Sequence, residues 1–307
     1  QAHRWNRIDG QFAYDVPEFT VAHCAVDKTF RFDLGEVAGR YDLVWWDEGK
    51  HRDGPFFSPP PGHRRTPVAY YCLYPTLTTD IFEDRKRRAR ENADLVLLEH
   101  DRIERWEDIG IPVRRCAYSV NEWYYRDNAE TRDIDVGFFS VWNYSPERRA
   151  LNDWLAGYCA KHGWAYATNG GYSTDEYPQL LARSKVVIHI NRTPDTRPPR
   201  IFDASACGAA VLASRMPAVS GERWIDGIHY VAFDEPVAQY HLDNEHGDGM
   251  SYTDEDCQQV AAGLDWLMEN HNWAAIAHNA QQYVLSEHTW RVRARQLRQT
   301  FAEALGI

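Results

Sequence analysis

Nowhere does the chain approach the run of about 18 apolar residues that a membrane-spanning helix needs, so none is expected. No charged-then-apolar leader opens the sequence, so no secretory signal is expected either. There is no G-x-G-x-x-G and no Walker loop, which removes the dinucleotide and NTPase fingerprints. The six cysteines, Cys24, Cys72, Cys116, Cys159, Cys207 and Cys257, are scattered, with no C-x-x-C and no short His/Cys spacing. That spacing argues against a zinc site, and reduced, largely buried thiols in a cytoplasmic protein are expected. Basic excess is lacking too. Against 45 Asp plus Glu stand 34 Lys plus Arg, a formal net charge of -11. A broad nucleic-acid-coating surface is disfavoured by that sign, whereas a local anion cleft is not.

The chain does hold enough apolar material for large cores. Hydrophobic residues make up 44% of 307 residues, and 12 Trp contribute to an aromatic share of 13%. This length suits two domains, and neither needs a disulfide or metal staple. Short β-branched or apolar runs alternate with helical patterns, which argues for parallel α/β layers. In the first half, strands are expected at Phe19 to Val26, Tyr41 to Trp46, Val68 to Cys72, Asp94 to Leu98 and from Pro112 towards Tyr118. Helices are expected at Thr79 to Asn92 and Asp101 to Ile109, the second stopped by Gly110. The Pro-, Gly- and Arg-rich stretch His51 to Pro67 reads as a long loop.

The polar segment Asn121 to Arg132 is the best domain boundary, and after it the alternation restarts. Strands are expected at Ile134 to Val141, Trp164 to Thr168, Lys185 to Ile190, Ala210 to Ala213 and Tyr230 to Phe233. Helices are expected at Pro146 to His162, Pro178 to Ser184 and Pro199 to Cys207, the last closed by Gly208. From Asp254 everything reads helical, ending in Trp290 to Leu305. The expected domains are 1–125, 133–289 and a C-terminal helix at 290–307 that packs back on the first.

In open parallel sheets, ligands bind beyond the carboxyl ends of the strands, so the residues there carry the chemistry. Ser140, Asn143 and Arg148 follow the first strand of the second half and could cradle a phosphate at a helix start. An ordinary cap at Ser145-Pro146 with solvated arginines is the alternative. Asn169 and Gly170 follow the next strand, where glycine lets backbone approach a ligand, or simply forms a turn. The most informative segment runs from Asn191 to Gly208. Arg192, Arg197 and Arg200, with Asp195 and Asp203, surround a proline-stiffened loop at a helix start. Arginine at a helix N-terminus suits a diphosphate, and a carboxylate suits a pair of sugar hydroxyls. Internal salt bridges on a surface loop are the plainer alternative.

Arg200-Ile201-Phe202-Asp203-Ala204-Ser205-Ala206-Cys207-Gly208-Ala209 resembles the R-x-F-E-A-x-A-C-G-A segment of CgeB-like (spore maturation protein) glycosyltransferases, within the family 4-type GT-B superfamily. Ser184 to Asn191 is similar to that family's S-K-I-x-L-N strand, Glu222 to Val231 to its F-x-x-G-x-E-x-V stretch, and His288-Thr289-Trp290-Arg291-x-Arg293 to its closing H-T-[YW]-x-x-R. The likeness covers about residues 134 to 300.

The resemblance implies a GT-B architecture: two Rossmann-like domains facing a central cleft, with C-terminal helices. It implies transfer of a sugar from a nucleotide-sugar donor, UDP-sugar first and GDP-sugar second, to an acceptor hydroxyl with retention. The family's E-x7-E pair stands here as Asp195 and Asp203, each shorter by one methylene. By resemblance Asp203 holds the ribose hydroxyls, Asp195 the donor sugar, and the Arg148 and Arg200 region the diphosphate. No metal is obligatory in that class, and no D-x-D follows a strand end here.

Acceptor recognition then falls to the first half. Asp47 and Glu48 end a buried strand and could orient or deprotonate an acceptor hydroxyl, or merely cap the strand. His23 and Tyr74 are further acceptor candidates, with core packing as the alternative. The run Arg85-Lys86-Arg87-Arg88-x-Arg90 reads as a solvated helix face, or as a site for an acidic acceptor. The acceptor itself, whether small molecule, glycan, protein or nucleic acid, is left open. A base-modifying glycosyltransferase and a non-catalytic sugar-nucleotide-binding protein are the alternatives.

Overall fold

The structure is a computed structural model that describes residues 42–47, 66–72, 79–99, 103–128, 131–139, 146–168, 176–190, 199–216, 222–234 and 254–307. The chain divides into two compact units. The first ends at Tyr118 and is rejoined by Trp290–Ile307; the second is Ser119–Thr289. The strand expected at Phe19 to Val26 and most of the loop at His51 to Pro67 lie outside the described residues.

In the first unit, β1 (Val44–Asp47), β2 (Val68–Cys72), β3 (Leu95–Leu98) and β4 (Val113–Arg115) pair in that order, all parallel. Every residue of β2 and β3 is buried, the pattern of a parallel sheet covered on both faces. Helix α1 (Thr79–Asn92) connects β2 to β3 and adds Phe82 and Ala89 to a core with Tyr70, Val96, Leu98 and Trp106. Trp106 meets Phe82 edge to face at 5.4 Å. The helix expected at Asp101 to Ile109 is instead a 3-10 helix, Ile103–Ile109. Ile103, Trp106 and Ile109 recur every third residue, which in 3-10 geometry stacks them on one side. Trp106 and Ile109 are buried there, and Ile103 is partly buried against the same core.

The second unit has five parallel strands in a different order. β5 (Ile134–Phe138), β6 (Tyr166–Thr168), β7 (Ser184–His189), β8 (Ala210–Ser214) and β9 (Val231–Phe233) lie as β6-β5-β7-β8-β9. The chain moves from β5 to one side for β6, then returns to the other side for β7. The crevice beyond the carboxyl ends of β5 and β7 is therefore the topological switch point, where this class of sheet takes its ligands.

The helices of this unit are α2 (Pro146–His162), α3 (Glu176–Arg183), α4 (Pro199–Ala206), α5 (Asp254–Met268) and α6 (Asn272–Glu287). Leu151, Leu155 and Cys159 on α2 recur at helical spacing and are fully buried with Val136, Val186, Leu212 and Leu264. Gly263 lets α5 come close to β8, because a Cβ there would stand 2.6 Å from Leu212 Cδ1. Helix α3 stops one residue earlier than expected. Ser184 opens β7, and its hydroxyl donates to Leu180 O at 2.7 Å, satisfying a carbonyl of the last helical turn.

The polar segment Asn121 to Arg132, expected as the boundary, lies within this second unit. Asn121 O accepts from the backbone N–H groups of Tyr124 and Tyr125, and its side-chain Oδ1 accepts from that of Trp123. Arg132 donates to Ala182 O, Ser184 O and Cys207 O at 2.7, 2.8 and 3.1 Å, and pairs with Asp127 at 2.7 Å. One guanidinium thus ties the ends of α3 and α4 to the start of β7.

Helix α7 (Trp290–Leu305) belongs to the first unit. It buries Trp290, Ala294, Leu297 and Phe301, an i, i+4, i+7, i+11 stripe, and Arg293, which donates to Tyr118 O at 3.2 Å. Burial pulls the Arg293 guanidinium below its ordinary range.

Candidate functional site

The candidate site grows from the switch point of the second unit. Strand β7 ends at His189, which is 4% exposed. Helix α4 begins ten residues later at Pro199-Arg200. Proline suits the first helical position, because its missing N–H would find no intrahelical acceptor there. The N–H groups of a first helical turn have no intrahelical acceptor, and together with the helix dipole they make such an end attractive to an anion.

Arg200 sits in that first turn and is half-buried. Its Nε donates to Tyr177 Oη at 3.1 Å, and its Nη1 lies 3.2 Å from His189 Nδ1. Arginine carries only donors, so His189 Nδ1 accepts and the imidazole proton sits on Nε2. Tyr177 comes from the first turn of α3 and is 4% exposed. Its ring meets Tyr125 and Phe139 edge to face, at 6.1 and 6.4 Å. Three elements, α3, β7 and α4, therefore meet on one guanidinium.

One turn along α4 stands Asp203, 1% exposed. Ile201, Phe202, Ala204, Ser205 and Ala206 are buried around it. Phe202 packs edge to face on Trp224 at 5.3 Å and against His288 at 5.0 Å. Burial, with the nearby charges of Asp203 and Asp127, pushes the Cys207 thiol well above its ordinary value, so that thiol stays protonated and unreactive. At the opposite end of the sheet, Asp133 and Asp135 flank the start of β5. They are tied up by Arg183 at 2.6 Å and Lys185 at 2.6 Å. A cation and a buried carboxylate on one short helix at a switch point can grip an anionic group and hydroxyls beside it.

A family model described as glycosyl transferase-like matches residues 145–299, half of the chain. The chain belongs to that glycosyltransferase family. No curated protein matches it in sequence. Among solved structures it is similar to Alr3699/HepE from Anabaena in complex with UDP and glucose. That match has 14% identity and a TM-score of 0.56, covering 88% of this chain and 80% of that one. It is also similar to the pneumococcal O-GlcNAc transferase GtfA in complex with UDP and GlcNAc. There the identity is 11% and the TM-score 0.55, covering 79% of this chain and 53% of that one. Sucrose-phosphate synthase from Thermosynechococcus elongatus matches at 14% identity and a TM-score of 0.51, covering 89% and 76%. At these identities the likeness is one of fold, and the fold is that of GT-B glycosyltransferases.

Against this glycosyltransferase frame, the expected site residues divide sharply. Arg200 and Asp203 are brought together on α4. Arg148 lies in the first turn of α2, directly after β5, and Asp47 ends β1 paired with Tyr71; the side chains of both are outside the described set. Glu48, Asp195, Ser140, Asn143, Asn169, Gly170, Arg192, His23 and Tyr74 lie outside the described residues altogether. Sequence reasoning passed over His189 and Tyr177. His189 is the one ionisable group inside the apolar run Val186 to Ile190, and that was the available signal. Tyr177 gave none.

The basic run on α1 is largely paired. Arg87 bonds Asp84 and Glu91, Arg88 bonds Asp84, and Lys86 and Arg90 meet Asp108. Among the described residues no group of three or more His, Cys, Asp or Glu could hold a metal ion, and no helix is long and apolar enough to cross a membrane.

Proposed function

We propose that the protein moves a sugar from a nucleotide-sugar donor to an acceptor hydroxyl, with retention and without an obligatory metal. UDP-sugar is the first choice of donor and GDP-sugar the second. The observation that carries this reading is the seating of Arg200 beside His189 at the switch point of the second sheet, one turn from buried Asp203. Membership of the glycosyltransferase family and the UDP held by HepE and GtfA support it. The likeness of the segment Arg200 to Ala209 supports a CgeB-like assignment within that family.

In this assignment the second unit takes the donor. Arg200, with Arg148 and Arg192, faces the diphosphate. Asp203 receives the ribose hydroxyls and Asp195 the donor sugar. Ser140, Asn143, Asn169 and Gly170 are assigned to the same donor. The first unit takes the acceptor, with Asp47 and Glu48 towards its hydroxyl and His23 and Tyr74 beside it. Glycosyl transfer gathers positive charge on the sugar and negative charge on the departing diphosphate. Fixed cations and helix N–H groups aimed at that leaving group stabilise the transition state without reorganising. Five described cysteines are free and buried, which agrees with a reducing, cytoplasmic setting. The ion pairing along α1 favours a solvated face over a nucleic-acid track.

Calorimetry with UDP, GDP and their sugars tests the reading. The wild type is expected to bind one of them, and Arg200→Ala and Asp203→Asn to lose that binding. Unchanged affinity in both variants overturns the assignment.

A further inference from the structure

We infer that Tyr177 and His189 are positioning residues for Arg200, and that they set its affinity for the diphosphate of the donor. The inference rests on the donor-binding reading of α4 given above. Its own ground is geometric. Arginine has a long, flexible stem, and holding it in one rotamer costs side-chain entropy. Here that cost is met before any ligand arrives. Tyr177 Oη receives Nε at 3.1 Å and His189 Nδ1 receives Nη1 at 3.2 Å. The two acceptors engage different nitrogens of the guanidinium, Nε and Nη1, so they fix its orientation as well as its position.

Both acceptors are themselves immobile. His189 is 4% exposed at the end of β7, and Tyr177 is 4% exposed with its ring set against Tyr125 and Phe139. Both are neutral groups. A phenol oxygen and an unprotonated imidazole nitrogen orient the guanidinium without cancelling its charge, as a carboxylate in either place would. Holding the guanidinium in one orientation lowers the ordering cost of binding an anionic ligand, since preorganisation cuts that cost.

The test measures dissociation constants for UDP and for uridine, which lacks the phosphates, on the full chain. Melting temperature is followed alongside. Tyr177→Phe keeps the ring and removes only the hydroxyl. His189→Leu removes the acceptor, and His189→Asn keeps an oxygen where Nδ1 stood. Tyr177→Phe and His189→Leu are each expected to weaken UDP about tenfold, the scale of one charge-assisted hydrogen bond, and to leave uridine unchanged. His189→Asn is expected to restore most of the UDP affinity. In an Arg200→Ala background neither change is expected to matter further, because interacting residues are non-additive. Should His189→Leu fail to fold, Tyr177→Phe and the Arg200→Ala cycle carry the test. Wild-type UDP affinity in Tyr177→Phe and His189→Leu overturns the positioning role and leaves the donor reading standing. Equal losses for UDP and uridine do the same. A wild type that binds none of UDP, GDP, ADP or dTDP overturns the donor reading, and this inference with it.

Discussion

Gly208 and Arg132 occupy adjoining space so tightly that a side chain at 208 would displace the guanidinium. A Cβ there would stand 2.5 Å from Arg132 Nη2 and 2.6 Å from Asp127 Oδ2, and the backbone has φ +74°. Left-handed backbone costs an L-residue about 1–2 kcal/mol. The displaced arginine would also lose contact with Cys207 O, which it holds at 3.1 Å. Gly208→Ala is therefore expected to destabilise the second unit by about 2–4 kcal/mol. Urea unfolding checks this, and a loss no larger than the backbone cost alone would mean that Arg132 readjusts freely.

The approach of α5 to β8 makes a second prediction. At Gly263, which is partly exposed, a Cβ would lie 2.6 Å from Cδ1 of Leu212, a fully buried core side chain. Gly263→Ala gains helix propensity but overpacks, and the net cost is expected to be about 1–2 kcal/mol. Pairing it with Leu212→Val should recover stability. If the double variant is no better than the single one, the contact is not the cause.

Stability should fall under alkaline conditions. Burial pushes the thiols of Cys116 and Cys159 up to about 11, from an ordinary 9.0. The unfolded chain loses those protons first, so it binds fewer of them than the native state above pH 9. Stability is therefore complete below that point and declines as pH rises towards 11. Cys116→Ala and Cys159→Ala should each flatten the urea midpoint between pH 8 and 10.5. An unaltered slope in both would place the alkaline loss elsewhere.

The paired basic helix makes a prediction about nucleic acid. Arg87 already meets Asp84 and Glu91, and Arg88 meets Asp84, so these charges are compensated within the helix and neutralise few phosphates. Duplex DNA is expected to bind weakly, with a shallow salt slope, and Arg87→Ala should not change it. A steep loss of affinity with salt would instead point to an extended phosphate track.

Some of this architecture was legible from pattern, for identifiable reasons. Helices α1 and α2, and α7 from Trp290, lie where their apolar spacing and flanking residues place them. The span from Ile103 to Ile109 was harder, because a three-residue repeat reads almost equally as a helical turn. Asp203 and Arg200 could be picked out because they stand in one contiguous motif. Tyr177 gave no such signal, since it reaches Arg200 across 23 residues; His189 stood out only as the ionisable group in an apolar run, and nothing local ties it to Arg200 eleven residues on. The segment Asn121 to Arg132 looked like a linker because it is polar; its polar groups are spent on backbone carbonyls and turns.

Helix α7 has a consequence for how the protein is made. The second unit is contained in Ser119–Thr289, and its two ends meet where Val120 pairs with Thr289 and takes a bond from its N–H to His288 O at 2.8 Å. A nascent chain can close that unit before the residues from Trp290 onward leave the ribosome. The first unit, begun earlier, must wait for them. Its buried stripe from Trp290 to Phe301 is synthesised only after the whole of the second unit. A chain that stops short of α7 would thus carry a finished second unit beside an open first core, and it is the older half that would be exposed to aggregation and proteolysis.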